Sequence, residues 1–545
     1  MKLVSVPEMQ SIERDADASG LTYSKMMENA GKGLGEEVLD AFSHLPEPSA
    51  LGLVGSGNNG GDTLVALAWL LEHGWKATAY LVRPRQPGDP LVKRVIQAGG
   101  EVIDSQEEPQ TGTERLERLV RGHAVILDGV LGTGVQLPLK PELAAVLGAV
   151  RNLLQEMDSP PQVVAVDCPS GIDASSGETA GEAIPADLTV TMAAVKSGLL
   201  SFPAFSLIGE LRVVDIGTLE GIQSWDSINR YVVDREWVKR VLPERPLDAH
   251  KGTFGTALIV AGSTNYTGAA LLAGQAAYRS GAGLVTMAVP GPLHLALSGH
   301  FPEATWVLLP NDMGVIARTA AEVLRESLER ATAMLVGPGF GLEDTTRDFL
   351  AKLFGASGTS SRAAQMGFSY PKQAEKPKTE QPEEALPPLV IDADGLKLLA
   401  RIPGWQSSLP AESVLTPHPG ELAIMAELDK GEIQADRLGI TTRLAAEWGH
   451  VLVLKGALTV IAAPDGRLAV IPIASPALAR AGTGDVLAGF IAGLRAQGVN
   501  AFEAAAAGAW IHARAGLYAA GLFGNTATVL AGDVLNSLVD VMAEL

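Results

Sequence analysis

The sequence predicts an α/β protein, a doubly wound parallel sheet followed by a second α/β unit, and three observations point there. Short apolar runs recur along the chain, near-continuous and ending in Gly, Asp or Pro, as strands buried on both faces do. Helical stretches separate them, which calls for parallel strands joined by right-handed crossovers. Glycine supplies 60 of 545 residues while 47% of the chain is hydrophobic, a composition of tight turns around filled cores. A chain of 545 residues exceeds one ordinary core.

Composition excludes several classes. Lys and Arg number 42 against 62 Asp and Glu, so the net charge is −20. That argues against a nucleic-acid surface, which needs clustered cations, and suits solubility. Cys168 is the single cysteine, so neither an internal disulfide nor a cysteine metal cluster is expected, and a reducing cytoplasm is. The opening "MKLVSVPEMQSIERDADASG" carries charges where a signal peptide needs an apolar run. No segment approaches the roughly 20 apolar residues of a membrane span. The expected setting is cytoplasmic, with no membrane and no nucleic-acid partner.

In the first unit, "LGLV" (51–54), "TAYLV" (78–82), "AVILDGVLG" (124–132) and "VVAVDCPSG" (163–171) read as strands. Functional loops of such sheets lie at the carboxyl ends of strands. Three loops fall there. "VGSGNNGGDT" (54–63) runs from strand into helix; its small residues let a ligand approach the backbone, and successive N–H groups bind anionic oxygen. Without a Lys and its following Ser/Thr, it is not a γ-phosphate loop. A plain turn, with Asp62 only capping the helix, is the alternative. Asp128 ends the next strand, and Asp167 and Ser170 the one after. An amide oxygen, one carboxylate and a hydroxyl suit a monovalent cation better than calcium. Asp167 is then a candidate general acid/base.

"MMENAG" (26–31), "GNNGGD" (57–62), "DGVLGTG" (128–134) and "VDCPSGID" (166–173) keep the order and spacing of NAD(P)H-hydrate epimerases, and residues 1–217 resemble that family. The resemblance implies a Rossmann-like doubly wound sheet. It implies hydrate binding by Asn58, Asn59, Gly60, Gly61 and Asp62 and by Gly132, Thr133 and Gly134. It implies K+ on Asn59, Asp128 and Ser170, and Asp167 as proton carrier. Thr63 stands where the family usually has Gly, and a β-branched residue there is expected to narrow the pocket or restrict the loop.

Residues 217–247 break the pattern and read as the connection. A second series follows: "TALIVAG" (256–262), "LVTMAVP" (284–290), "AMLVGPG" (333–339), "PLVIDADG" (388–395), "SVLTPHPGE" (413–421) and "VLVLKG" (451–456), each a strand running into a polar loop. Residues 355–388, rich in Ser, Pro, Lys, Glu and Gln, read as a disordered insertion. The end of the chain is Ala- and Gly-rich helix. In "TPHPGE" (416–421), prolines bracket His418 at a strand end, which favours ligand contact over a structural role. "LKGALTVI" places Lys455 at the next strand end. In "ARAGTGDVLAG" (479–489), Gly482-Thr-Gly-Asp485 opens a helix, so its amides form an anion site. Asp485 there can take a proton from a hydroxyl attacking phosphorus.

Gly-Thr-Gly-Asp before a helix resembles the phosphoryl-transfer loop of ribokinase-like folds. With "HKGTFG", "GPGFG", "DADGL", "TPHPGE" and "KG" in order, residues 230–545 outside the insertion resemble ADP-dependent NAD(P)H-hydrate dehydratases. The resemblance implies Asp485 as catalytic base and Gly268, Gly339 and His418 on the hydrate. It places ADP, the phosphoryl donor, on Lys455, Gly456, Ala457, Leu458 and Thr459 and on the Gly482, Thr483 and Gly484 amides, with Mg2+ bridging phosphates. The usual Asn-Pro-Gly-Met-Ala-Thr-Gly upstream differs here at Ser475, Ala477, Leu478, Arg480 and Ala481, changes expected to touch a neighbouring contact and not the chemistry.

The expected domains are 1–220, an epimerase, and 221–545, a dehydratase. Together they imply repair of hydrated NADH and NADPH, with the hydrates and ADP as partners and a homo-oligomeric assembly. The alternative is a ribokinase-like small-molecule kinase carrying a non-catalytic N-terminal nucleotide-binding module.

Overall fold

The computed structural model describes residues 1–106, 112–355 and 385–545. The insertion expected at 355–388 lies outside the described residues except at its ends. The chain forms two compact units, Met1–Val232 and Val233–Leu545. The boundary expected at 220 therefore moves to 232. Residues 221–232 stay with the first unit because Ile228 belongs to its core and the Val232 N–H donates to Met1 O at 2.8 Å.

In the first unit the strands run in the spatial order Glu101–Asp104, Lys76–Leu81, Ser49–Val54, Val125–Gly129, Gln162–Val166, Leu188–Met192 and Glu210–Val214, all parallel. Order reverses between Ser49–Val54 and Val125–Gly129, and ligands of open α/β sheets bind in the crevice such a reversal leaves. The helix Asn58–Glu72 packs on the helix Tyr23–Phe42 at close range. A Cβ on Gly31 would come within 2.4 Å of Val65 Cβ, and one on Gly35 within 2.6 Å of the Trp69 ring.

Three of these strands are absent from the sequence expectation. Leu188–Met192 hides because Thr189 and Thr191 interrupt its apolar run. Both are nevertheless fully buried, with the Thr189 hydroxyl donating to Ile208 O at 2.6 Å.

In the second unit the order is Leu468–Val470, Val460–Ala462, Val451–Leu454, Val414–Leu415, Leu389–Ile391, Ala333–Val336, Thr256–Val260, Leu284–Pro290 and Thr305–Leu309. The sheet is parallel from Val451–Leu454 to Thr305–Leu309, but Val460–Ala462 and Leu468–Val470 join antiparallel, so this sheet is mixed. "SVLTPHPGE" contributes only Val414–Leu415 as strand. The helices Thr267–Arg279 and Thr483–Ala496 touch backbone to backbone: a Cβ on Gly489 would lie 2.1 Å from Ala273 O. Among the described residues, no helix is long and apolar enough to cross a membrane.

Candidate active sites

In the first unit a cavity of about 800 Å³ opens at the sheet's switch point. Asn58, Asn59 and Asp62 line it from the first glycine-rich loop, Gly132, Thr133 and Gly134 from the second, and Asp167 from the third. Gly60 and Gly61 serve the loop's packing. A Cβ on Gly60 would meet Gly55 O at 2.1 Å, and one on Gly61 would meet Met27 Sδ at 2.7 Å. Asp62 is not a helix cap: Gly57 holds that position without a side-chain hydrogen bond. Instead Asp62 is buried and faces the cavity. Burial pushes its carboxyl well above the usual range, with Asp167 and Glu13 adding to the rise and Lys196 opposing it.

Thr63 does not line the cavity. It is fully buried against the sheet, where its hydroxyl donates to Asn59 O at 2.8 Å and packs over Gly129.

Asn59, Asp128 and Ser170 come together because their strands are neighbours. Ser170 donates to both Asp128 oxygens, from Oγ to Oδ1 at 2.6 Å and from N to Oδ2 at 2.8 Å. Asn59 Nδ2 donates to Leu131 O at 2.8 Å, and Leu131 N donates to Ser170 Oγ at 2.9 Å. Asp128 is fully buried, and burial raises its carboxyl. Among the described residues no cationic side chain pairs with it, which suits a bound monovalent cation.

Two residues of this pocket escaped the sequence. Lys196 is 1% exposed and forms an ion pair with Asp167 Oδ1. The same oxygen accepts from Thr191 Oγ1 at 2.9 Å and Met192 N at 3.1 Å. Glu13 lines the cavity from the helix Val6–Ala18. The only available signals were a lone Lys after an apolar run and a Glu in a charged helix.

In the second unit, Gly482 takes φ +90° and caps the helix Thr483–Ala496, whose first turn carries Asp485. Burial, then Asp392, pushes the Asp485 carboxyl up to about 7, while Lys455 opposes. Lys455 Nζ lies 2.6 Å from Asp392 Oδ1 and 3.8 Å from Glu421 Oε2. Burial lowers its ammonium, but Asp392 and Glu421 outweigh that and hold it above the ordinary value. A Cβ on Gly484 would lie 3.3 Å from Lys455 Nζ and 3.8 Å from Asp392 Oδ2. The phosphate loop, Lys455 and Asp392 thus converge, and Asp392 Oδ2 is buried without a hydrogen bond. That orphaned oxygen beside an anion loop suits Mg2+, which binds through one or two carboxylates plus phosphates and keeps its waters.

Gly456, Ala457, Leu458 and Thr459 form the turn between Val451–Leu454 and Val460–Ala462; Ala457 is exposed and Leu458 buried. Gly339, at φ +66°, packs on Tyr266 and Ala269, beside Gly268 at the open start of a helix. His418 is the N-cap of the helix Pro419–Ala426. Its Nδ1 accepts from Gly420 N at 3.0 Å and Glu421 N at 3.2 Å, and Nε2 faces Glu421 Oε1 at 3.4 Å. Only Nε2 is left to meet a ligand.

The changed residues upstream of the loop have structural partners. Thr483 Oγ1 donates to Leu478 O and Arg480 O, both at 2.9 Å, and Arg480 reaches Ala527 O. His512, unremarked in the sequence, sits buried near Thr483, and burial pushes its imidazole down to about 4.

Two family models match the chain: the NAD(P)H-hydrate dehydratase model over residues 257–357 and 367–538, and the YjeF-related protein N-terminus model over 23–198. The bifunctional NAD(P)H-hydrate repair enzyme of Moorella thermoacetica is 35% identical across 100% of this chain and 97% of its own. That of Escherichia coli is 31% identical across 96% and 91%. A solved ADP/ATP-dependent NAD(P)H-hydrate dehydratase from Bacillus subtilis, co-crystallised with ATP and Mg2+, is 28% identical, with 58% of this chain and 99% of that one covered at a TM-score of 0.45. The chain belongs to the bifunctional NAD(P)H-hydrate repair enzymes, which join an epimerase and a dehydratase in one polypeptide.

Proposed function

We propose that Asp485 drives the dehydratase half. Its carboxylate takes the proton of the hydrate's 6-hydroxyl as that oxygen attacks the β-phosphorus of ADP, and AMP departs. The phosphorylated hydrate then expels phosphate as the C6–O bond breaks, and C5 gives up a proton to solvent so that the C5–C6 double bond of the reduced nicotinamide is restored. The observation that carries this is Asp485 in the first turn of a helix whose amides form an anion site, with Lys455 beside it. Mg2+, held by Asp392 with Glu421 nearby, would neutralise charge on the phosphates when bound. Lys455 holds Asp392 in place through their ion pair, and the 455–459 turn takes the nucleotide. Gly268, Gly339 and the Nε2 of His418 meet the hydrate.

In the first unit the Asn58–Asp62 and Gly132–Gly134 loops hold the hydrated nucleotide, and Asp167 carries the proton that inverts C6. Asn59, Asp128 and Ser170 would hold K+, which would offset the buried Asp128 charge when bound. A cytoplasmic setting is supported by the single, buried Cys168. A homo-oligomer is supported by apolar side chains left at the surface, Leu522 at 69% and Leu530 at 64% exposure.

Incubating the enzyme with hydrated NADH and ADP tests the dehydratase roles. Absorbance of the reduced nicotinamide should return with one AMP and one phosphate released; a stable phosphorylated product would instead identify a kinase. The ion has its own test. Replacing K+ by a bulky organic cation at equal ionic strength should weaken hydrate binding to the epimerase site. Asp128→Ala should weaken it too and abolish the response to K+. Binding indifferent to both changes would leave Asp128 a loop cap.

A further inference from the structure

The epimerase pocket holds more ionisable chemistry than one proton carrier needs. Asp62 lines the cavity from the start of the helix Asn58–Glu72, Asp167 lines it from the end of the strand Gln162–Val166, and Glu13 joins them from the helix Val6–Ala18. Their environments differ. The Asp167 side chain leaves the sheet at φ +64°, a conformation that costs a non-glycine residue about 1–3 kcal/mol and persists only where surroundings impose it. The imposing groups are Lys196, Thr191 and Met192 N, all on Oδ1. Lys196 is itself clamped, donating to Thr191 Oγ1 at 3.0 Å and Met192 O at 2.9 Å. At 1% exposure it reaches no ligand. One carboxylate oxygen of Asp167 is thus consumed as an anchor, and Oδ2 is left for the cavity. The Asp62 carboxyl, by contrast, receives no hydrogen bond from any described residue.

We propose that Asp62 and Asp167 form a two-carboxyl acid–base pair on the hydrate's C6, with the buried Lys196 as the positioning residue that makes the two unequal. Both roles rest on the epimerase reading of this pocket. The C6 carbon bears a hydroxyl beside the ring nitrogen. Asp62 gives its proton to that oxygen as the C6–O bond breaks, and water leaves. The lone pair of N1 forms the C6–N1 double bond, which leaves a cationic ring. Water then adds to the opposite face, the double-bond electrons return to N1, and the surplus proton passes to Asp167. Moving that proton from Asp167 to Asp62 through the cavity resets the site, and no outside reactant is consumed. The direction of the Asp62 carboxyl agrees: burial, Asp167 and Glu13 all raise it and Lys196 alone opposes, which biases it towards the protonated form that a general acid needs. Glu13, raised by burial and by Asp167 against Lys196, is likewise biased towards its neutral form. Pairs of carboxyls pushed apart by their surroundings are a recurring basis for acid–base division.

The test follows C6 epimer exchange in the full chain with purified hydrate epimers. Asp62→Asn should lower kcat about 100-fold or more with KM within about threefold, because a general acid contributes roughly 10²–10⁴. The wild-type rate should fall at high pH as Asp62 loses its proton, and that alkaline limb should vanish in Asp62→Asn. Lys196→Met should lower kcat similarly with KM held, and Lys196→Arg should recover most of the loss. Asp62→Asn with near-wild-type kcat overturns the acid assignment. Lys196→Met with near-wild-type kcat, or Lys196→Arg as inactive as Lys196→Met, overturns the positioning role. If Lys196→Met fails to fold, Asp62→Asn and Lys196→Arg still decide. A wild-type chain that does not interconvert the epimers fails the epimerase reading itself, a distinct result.

Discussion

Asp485 sits where a helix begins and where Asp392, Asp394 and Glu421 crowd the same space. Asp485→Asn should abolish dehydration and leave epimerisation intact, since an amide of the same shape accepts no proton. The sign of the pH dependence follows from the raised carboxyl. A base must be ionised, so the dehydration kcat/KM of the free enzyme should rise with pH through about 7. Stability runs the other way. The folded state holds this proton more tightly than the unfolded chain, so stability falls as pH climbs from the ordinary carboxylate range through about 7. In the absence of ligands, Asp485→Asn should therefore raise the melting temperature of the dehydratase unit at pH 8 and leave it unchanged near pH 4. An unchanged melting temperature at pH 8 would mean that the carboxyl is not strained. The residues legible in the sequence were those in loops with a local signature: Asp485 after Gly-Thr-Gly, Asp62 after Asn-Asn-Gly-Gly, Asp128 and Asp167 at strand ends. Lys196, Glu13 and Asp392 were not assigned roles, because their meaning lies in what they touch across the fold. His418 was legible only in part: its proline brackets marked a turn, but the turn is a helix start that consumes Nδ1.

At the scale of elements, small residues decide how closely helices and strands approach. The helix Thr483–Ala496 presents Gly489 and Gly493 to the backbone of the helix Thr267–Arg279, at 2.1 Å and 2.5 Å for an added Cβ. Gly489→Ala should destabilise the second unit by about 1–3 kcal/mol, the usual cost of overpacking, and push the phosphate loop out of register with Lys455. Thermal unfolding should show a lowered transition with dehydration reduced and epimerisation preserved; a variant as stable as wild type would show that the helices can separate freely. The parallel strands with unbroken apolar runs were legible. Leu188–Met192 was not, because buried threonines mimic a surface pattern. The antiparallel pair Val460–Ala462 and Leu468–Val470 was not either, because strands of three residues are too short to show a periodic pattern.

The whole molecule makes sense as two chemistries on one metabolite. Spontaneous hydration of a reduced nicotinamide gives both C6 epimers, and a stereospecific dehydratase strands one of them unless an epimerase feeds it. The two units have separate cores and separate sites, so their chemistry should be separable by mutation within the full chain. The most direct measurement is recovery of reduced-nicotinamide absorbance from an equal mixture of the two hydrate epimers with excess ADP. The wild-type chain should restore the whole signal, Asp167→Asn should stop rapidly near half of it, and Asp485→Asn should restore none. Full, equally rapid recovery by Asp167→Asn would remove Asp167 from the epimerisation, and a wild-type chain that itself halts at half would contradict the union of epimerase and dehydratase in this polypeptide.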